Sequence, residues 1–179
     1  WLSLIKEHFG NEIYERSKIK GSFKLRSGVT ATEYFDKYLF ESNPRVLQAI
    51  AEHLEGVLPS SFDQLAGLEM GGIPIATALS LRIQKQVLFV RKEAKEYGTC
   101  KLAEGGGIDN QELLIVEDVV TSGGAIIDAV NELRARGAIV NNVVCVMYRE
   151  GSGRENVEKL GLKVRTPFKK TREEKTGQG

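Results

Sequence analysis

The chain has 179 residues, 41% of them hydrophobic, which suits one domain with a real core. Lys and Arg number 25 against 24 acids, a net charge of +1, so no global field argues for a nucleic-acid or membrane partner. Two cysteines, Cys100 and Cys145, argue against a disulfide framework and suit a reducing cytoplasm. The apolar stretches fall far short of a membrane span, and no signal-peptide pattern is visible. His8 and His53 lack ligand spacing, so no residue is assigned to a metal.

Residues 2–9 read as a short amphipathic helix. Ser22 to Leu25 and Glu33 to Tyr38 read as two strands around a turn at Ser27-Gly28. Asn43-Pro44 is a helix start, with Asn as N-cap and Pro at the first helical position. Val46, Leu47, Ile50, Ala51 and Leu54 recur at helical spacing, and Gly56 is a stop. A strand over Phe62 to Leu68, a helix over Pro74 to Ile83 and a strand over Gln86 to Arg91 follow. From Lys92 to Asn110 the apolar periodicity disappears and four glycines occur. Strand 113–118, helix 124–136 and strand 139–147 come next, then a short helix near Glu155 to Leu160 and a strand near Lys163 to Arg165. Alternating strands and helices from residue 44 onward predict an α/β fold with a mostly parallel sheet flanked by helices. Residues 1–168 form the expected domain. Within it, residues 1–40 form a small N-terminal hood and 92–110 a flexible loop. The polar tail, 169–179, is expected to be disordered.

The most informative stretch is Leu113 to Ala125, LLIVEDVVTSGGA. Its apolar run reads as a strand buried on both faces. Glu117 and Asp118 cannot sit inside such a strand unpaired, so they are placed at its carboxyl end, where open α/β sheets bind ligands. Thr121-Ser122-Gly123-Gly124 then offers hydroxyls and unhindered N–H groups at a helix N-terminus, an anion site. Acids suited to sugar hydroxyls beside a cradle suited to phosphate describe a ribose phosphate. By itself the stretch also reads as a buried strand, an acidic turn and a capped helix. Neither the P-loop nor the dinucleotide-binding glycine pattern is present.

This segment resembles the ribose-phosphate motif of type I phosphoribosyltransferases, which bind phosphoribosyl pyrophosphate (PRPP). A second signal narrows the resemblance. Arg91-Lys92-Glu93-Ala94-Lys95-Glu96-Tyr97-Gly98-Thr99 places three cations within five residues after a strand, and a pyrophosphate needs converging cations. That loop is similar to the catalytic loop of orotate phosphoribosyltransferases. Phe23-Lys24-Leu25-Arg26-Ser27-Gly28, followed by Tyr34-Phe35-Asp36, resembles the same family's substrate-binding hairpin. Met147-Tyr148-Arg149 resembles the strand end carrying its orotate-binding arginine. The matches run in order over roughly residues 20 to 153.

The resemblance implies the type I phosphoribosyltransferase fold. It implies transfer of the phosphoribosyl group from PRPP to orotate, giving orotidine 5'-monophosphate and pyrophosphate in pyrimidine biosynthesis. Glu117 and Asp118 would bind the ribose hydroxyls, with Lys95 closest to the chemistry. Val119 and Val120 with Thr121, Ser122, Gly123, Gly124 and Ala125 would surround the 5-phosphate. Arg26, Met70, Gly71, Arg91, Lys92, Lys95 and Tyr97 would complete the PRPP site. Tyr34, Phe35, Thr121 and Arg149 would hold orotate, whose flat ring and carboxylate suit aromatic walls and an arginine fork. Magnesium would bind mainly through PRPP and water. A cytoplasmic homodimer with shared sites is implied, with no nucleic-acid or membrane partner.

The chain departs from the family at two places. Arg26 stands where many members have lysine, which changes the geometry of the charge. Met70-Gly71 stands where better-known members have Tyr-Lys, and Glu69 adds a negative charge beside the expected pyrophosphate. Two alternatives stay open: a PRPP-dependent transferase for another nucleobase, and a non-catalytic PRPP-binding regulator.

Overall fold

The computed structural model describes residues 2–149 and 151–168, with side chains from residue 8 onward. The elements are α1 (Leu2–Ser17), β1 (Lys18–Lys24), β2 (Thr30–Phe35), α2 (Tyr38–Glu41), α3 (Pro44–Glu55), β3 (Gln64–Leu68) and α4 (Gly72–Ile83). They continue with β4 (Val87–Val90), β5 (Ala103–Glu104), β6 (Glu112–Val120), α5 (Gly124–Ala135), β7 (Ile139–Tyr148), α6 (Gly153–Glu158) and β8 (Lys163–Arg165). The main sheet has the order β5-β4-β3-β6-β7-β8. All its pairings are parallel except β4 with β5.

The parallel strands carry apolar residues on both faces. On β6, Leu113 and Ile115 join a core with Ile126, Val130 and Leu133 of α5. Leu114 and Val116 join the opposite core, with Ile50 and Leu54 of α3 and Ile75 and Leu79 of α4. Asn43 caps α3 through Oδ1, which accepts from the N–H groups of Arg45 and Val46, and Gly56 closes that helix.

Three sequence expectations change. The first helix runs on to Ser17, and its Ile13 is 1% exposed beside Phe40, so α1 feeds the main core. Only the β1–β2 hairpin forms a separate sheet. Tyr38, read as strand, begins the one-turn helix α2, because Asp36 Oδ1 accepts from its N–H and redirects the chain. The stretch 92–110 is not wholly without structure. Arg91 N–H donates to the Leu102 carbonyl, Lys95 N–H donates to the Lys101 carbonyl, and β5 pairs back on β4. The tail 169–179 and Glu150 lie outside the described residues.

Candidate active site

Strand β6 pairs with β7 as far as Val120, whereas its pairing with β3 stops at Val116. The sheet therefore opens on one side at Glu117, and the chain turns through Thr121-Ser122-Gly123 into α5. Gly123 has φ +82, where a Cβ is strained. That Cβ would also meet the Gly153 carbonyl at 2.8 Å, and one on Gly153 would meet the Thr121 carbonyl at 1.9 Å. The turn and the start of α6 thus touch backbone to backbone. Asn156 Nδ2 donates to the Ser122 carbonyl at 3.3 Å, and Gly124 N–H donates to Ser122 Oγ. The result is a preformed N–H cradle at the positive end of a 12-residue helix. Above it lies a cavity of about 370 Å³ lined by residues 119–126 with Arg26, Lys92, Glu117 and Asp128.

A second cavity of about 210 Å³ adjoins the first and shares Val119 and Thr121 with it. Tyr34, Phe35, Thr121 and Arg149 all line it. The Arg149 guanidinium stands 5.2 Å from the centre of the Phe35 ring, and Phe23 packs beside Tyr34. Residues distant in sequence thus make an aromatic wall with a cation beside it. Asp36, Lys37 and Tyr38 line this cavity too; Asp36 belongs to the hairpin motif read from the sequence, but none of the three was assigned to the base. Their only signal was their place directly after Tyr34-Phe35. Asp128, one turn into α5, was passed over in the first cavity.

The two acids differ in setting. Glu117 lines the larger cavity at 8% exposure, whereas Asp118 is fully buried and lines neither cavity. The expectation of two acids open to solvent needs correcting for Asp118. It escapes the cost of an unpaired buried charge because Lys37 Nζ lies 2.8 Å from its Oδ2. Glu41 of α2, 5% exposed, belongs to the same cluster. Burial, with the Asp118 carboxylate alongside, pushes the Glu41 carboxyl up to about 10, so it is neutral beside Asp118. Burial likewise pushes Glu117 up to about 9. Burial alone would raise Asp118 as well, but the neighbouring Glu41 and Glu117 carboxyls and the Lys37 ammonium outweigh it and hold Asp118 ionised, below its ordinary value.

The loop before α4 presses on this cluster. A Cβ on Gly71 would meet Asp118 Oδ2 at 1.8 Å, and one on Gly72 would meet the Val116 carbonyl at 2.4 Å. Position 71 has no room for a side chain, and the cation beside Asp118 comes from Lys37. The Glu69–Met70 peptide is cis, and Met70 is exposed. Glu69 points to the lid, where its Oε1 accepts from the Lys92 N–H at 2.7 Å.

The lid residues are placed unevenly. Lys92 reaches the larger cavity. Lys95 Nζ instead pairs with Glu104 Oε1 at 2.8 Å, and Arg91 pairs with the same carboxylate at 3.4 Å. The hydrogen bond from Lys95 holds Glu104 below the usual carboxylate range. Tyr97 is 79% exposed. Arg91, Lys95 and Tyr97 line neither cavity.

Comparison with known proteins agrees with this geometry. Residues 40–173 match the phosphoribosyl transferase domain. An orotate phosphoribosyltransferase of Nocardioides sp. is 51% identical over 148 residues, covering 83% of each chain. Another, of Methanocella arvoryzae, is 42% identical over 149 residues, covering 83% of this chain and 85% of the relative. The crystal structure of Mycobacterium tuberculosis H37Rv orotate phosphoribosyltransferase in complex with Fe(III) dicitrate superposes with a TM-score of 0.78 at 27% identity. It covers 92% of this chain and 95% of that one. The chain belongs to the phosphoribosyltransferase family, among the orotate phosphoribosyltransferases.

Proposed function

We propose that this enzyme transfers the phosphoribosyl group of PRPP to orotate, forming orotidine 5'-monophosphate and pyrophosphate in pyrimidine biosynthesis. The observation that carries the reading is the junction at Val119 and Thr121 of an aromatic, arginine-bearing cavity with a helix-capping anion cradle. The bond from ribose C1 to a pyrophosphate oxygen breaks, and the electron pair leaves with pyrophosphate. A bond from C1 to a ring nitrogen of orotate forms, and that nitrogen's proton passes to solvent. The N–H groups at 123–125 hold the 5-phosphate while Phe35, Tyr34 and Arg149 hold the base in line. Glu117 faces the ribose. Lys92, with Lys95 once released from Glu104, stabilises the departing charge.

Magnesium fits this site as a companion of PRPP. The pyrophosphate of PRPP would itself supply hard oxygen ligands, and a cation beside Glu117 on the cavity wall would favour the ionised form of that carboxyl, which burial otherwise raises to about 9. Bound magnesium would neutralise pyrophosphate oxygens. Two further assignments belong to this reading. A homodimer in which the lid serves the partner's site is supported by Lys95 lying away from both cavities of its own chain. A cytoplasmic location is supported by free Cys100 and Cys145, and no described helix is long and apolar enough to cross a membrane.

The test is pyrophosphate release with PRPP and magnesium across a panel of bases. Orotate should support turnover, with little or none from uracil, adenine or hypoxanthine, because a neutral base would cover the Arg149 guanidinium and strip its water without supplying a carboxylate in return. Turnover of a purine with no reaction or binding of orotate would leave only the broader phosphoribosyltransferase reading.

A further inference from the structure

Lys37 belongs to both halves of the site. Its side chain lines the base cavity together with Arg149, and its ammonium is paired with Asp118, the acid that lines neither cavity. The segment that carries it is firmly anchored. Asp36 N–H donates to the Ser17 carbonyl, the N–H groups of Phe40 and Glu41 donate to the Lys37 carbonyl, and Phe40 is 1% exposed. The backbone is therefore fixed, and the remaining freedom lies in the lysine's four-carbon arm, whose side chain is 34% exposed. Asp118 is enclosed by Lys37, by neutral Glu41 and by the Gly71 backbone. A ribose hydroxyl reaches it only if one of these yields, and the lysine arm is the movable member. An anionic base beside Arg149 would draw that ammonium into the base cavity.

We propose that Lys37 is a positioning residue that couples the two halves: an anionic base attracts its ammonium from Asp118, which frees Asp118 for the ribose of PRPP. The inference rests on the orotate reading above. Linkage makes the coupling reciprocal, so PRPP must tighten orotate by the factor by which orotate tightens PRPP. A purely structural ion pair would change stability, or both affinities together, and leave that factor alone.

The experiment measures the orotate Kd of the full chain by calorimetry with magnesium, with and without a saturating carbocyclic PRPP analogue that cannot lose pyrophosphate. The wild type should bind orotate about 10-fold tighter or more with the analogue present. Orotamide, the uncharged amide, should show a factor within about twofold of one, a comparison that needs no variant. Lys37→Gln, which keeps an N–H donor for Asp118 but drops the charge, should bring the orotate factor near one. Lys37→Arg should restore most of it. A wild-type factor near one overturns the proposal. So does equal coupling for orotate and orotamide, or wild-type coupling in a folded Lys37→Gln. Absence of orotate binding to the wild type under both conditions overturns the orotate reading itself, and this proposal with it.

Discussion

The phosphate cradle and the lid are both assigned to PRPP in the proposed reading, yet one is finished and the other is not. In the cradle, Gly123 and Gly153 lock the turn against α6, and residues 121–125 already line a cavity at the start of α5. In the lid, Arg91 and Lys95 are held by Glu104, and only Lys92 reaches the cavity. In the proposed reading the phosphate half is preorganised to bind PRPP. The pyrophosphate half must rearrange before it can help a leaving group depart. Binding and chemistry should therefore separate when each region is altered.

The largest effect is expected in the lid. Lys95→Ala should lower kcat by about 10²-fold or more, since it removes charge stabilisation made mainly in the transition state, with far less change in PRPP affinity. Steady-state kinetics with direct PRPP titration checks this, and an equal loss in both would break the comparison. If lids serve partner sites, a mixed dimer of Lys95→Ala with Asp118→Asn subunits should regain activity at one of its two sites. A verified mixed dimer without activity would place both residues in one site.

A smaller effect is expected in the cradle. Gly153→Ala places a methyl at the Thr121 carbonyl and must displace the turn. Overpacking of this kind costs about 1–3 kcal/mol, or roughly 5- to 150-fold in PRPP KM if it falls wholly on binding, with kcat less affected. Unchanged KM in a folded variant would show that the turn is not held by α6.

These regions also differ in how much of them the sequence reveals. The strand, turn and helix of 113–135 are written locally, in an apolar run, two acids and a glycine pair, so the cradle was legible before its buttress at Gly153 was known. The Asn43 cap, Gly56 stop and parallel sheet were legible for the same reason. The Lys37–Asp118–Glu41 cluster was not. Its members come from two distant places in the chain, the turn Lys37–Glu41 and the end of β6, and only tertiary packing turns them into an ion pair with a neutral carboxyl behind it. The same packing corrects the simple view of Asp118 as a residue facing ligand alone: replacing it should cost stability as well as PRPP binding. Lys95 and Glu104 are nine residues apart in a segment without periodicity, and no local pattern announces that they meet.

The buried cluster gives the smallest expected effect, read through pH. Glu41 has its folded value raised from 4.5 to about 10, so the native state holds a proton that the unfolded chain releases. Its contribution to stability is fully present below about pH 4.5 and is lost progressively as pH rises toward 10. Glu41→Gln should leave stability nearly unchanged at acidic pH and flatten this decline by about 1 kcal/mol or more between pH 5 and 9. Denaturant melts across that range decide it. An unaltered slope would show Glu41 to be ionised in the native protein.

The joining of base cavity and phosphate cradle into one orotate site is tested most directly at Arg149. The measurement is the ratio of orotate to uracil turnover in wild type and Arg149→Ala, with PRPP affinity determined in parallel. The expected result is a strong orotate preference in the wild type that Arg149→Ala abolishes while PRPP still binds. A preference that survives the substitution, or PRPP binding lost along with it, would contradict this assignment.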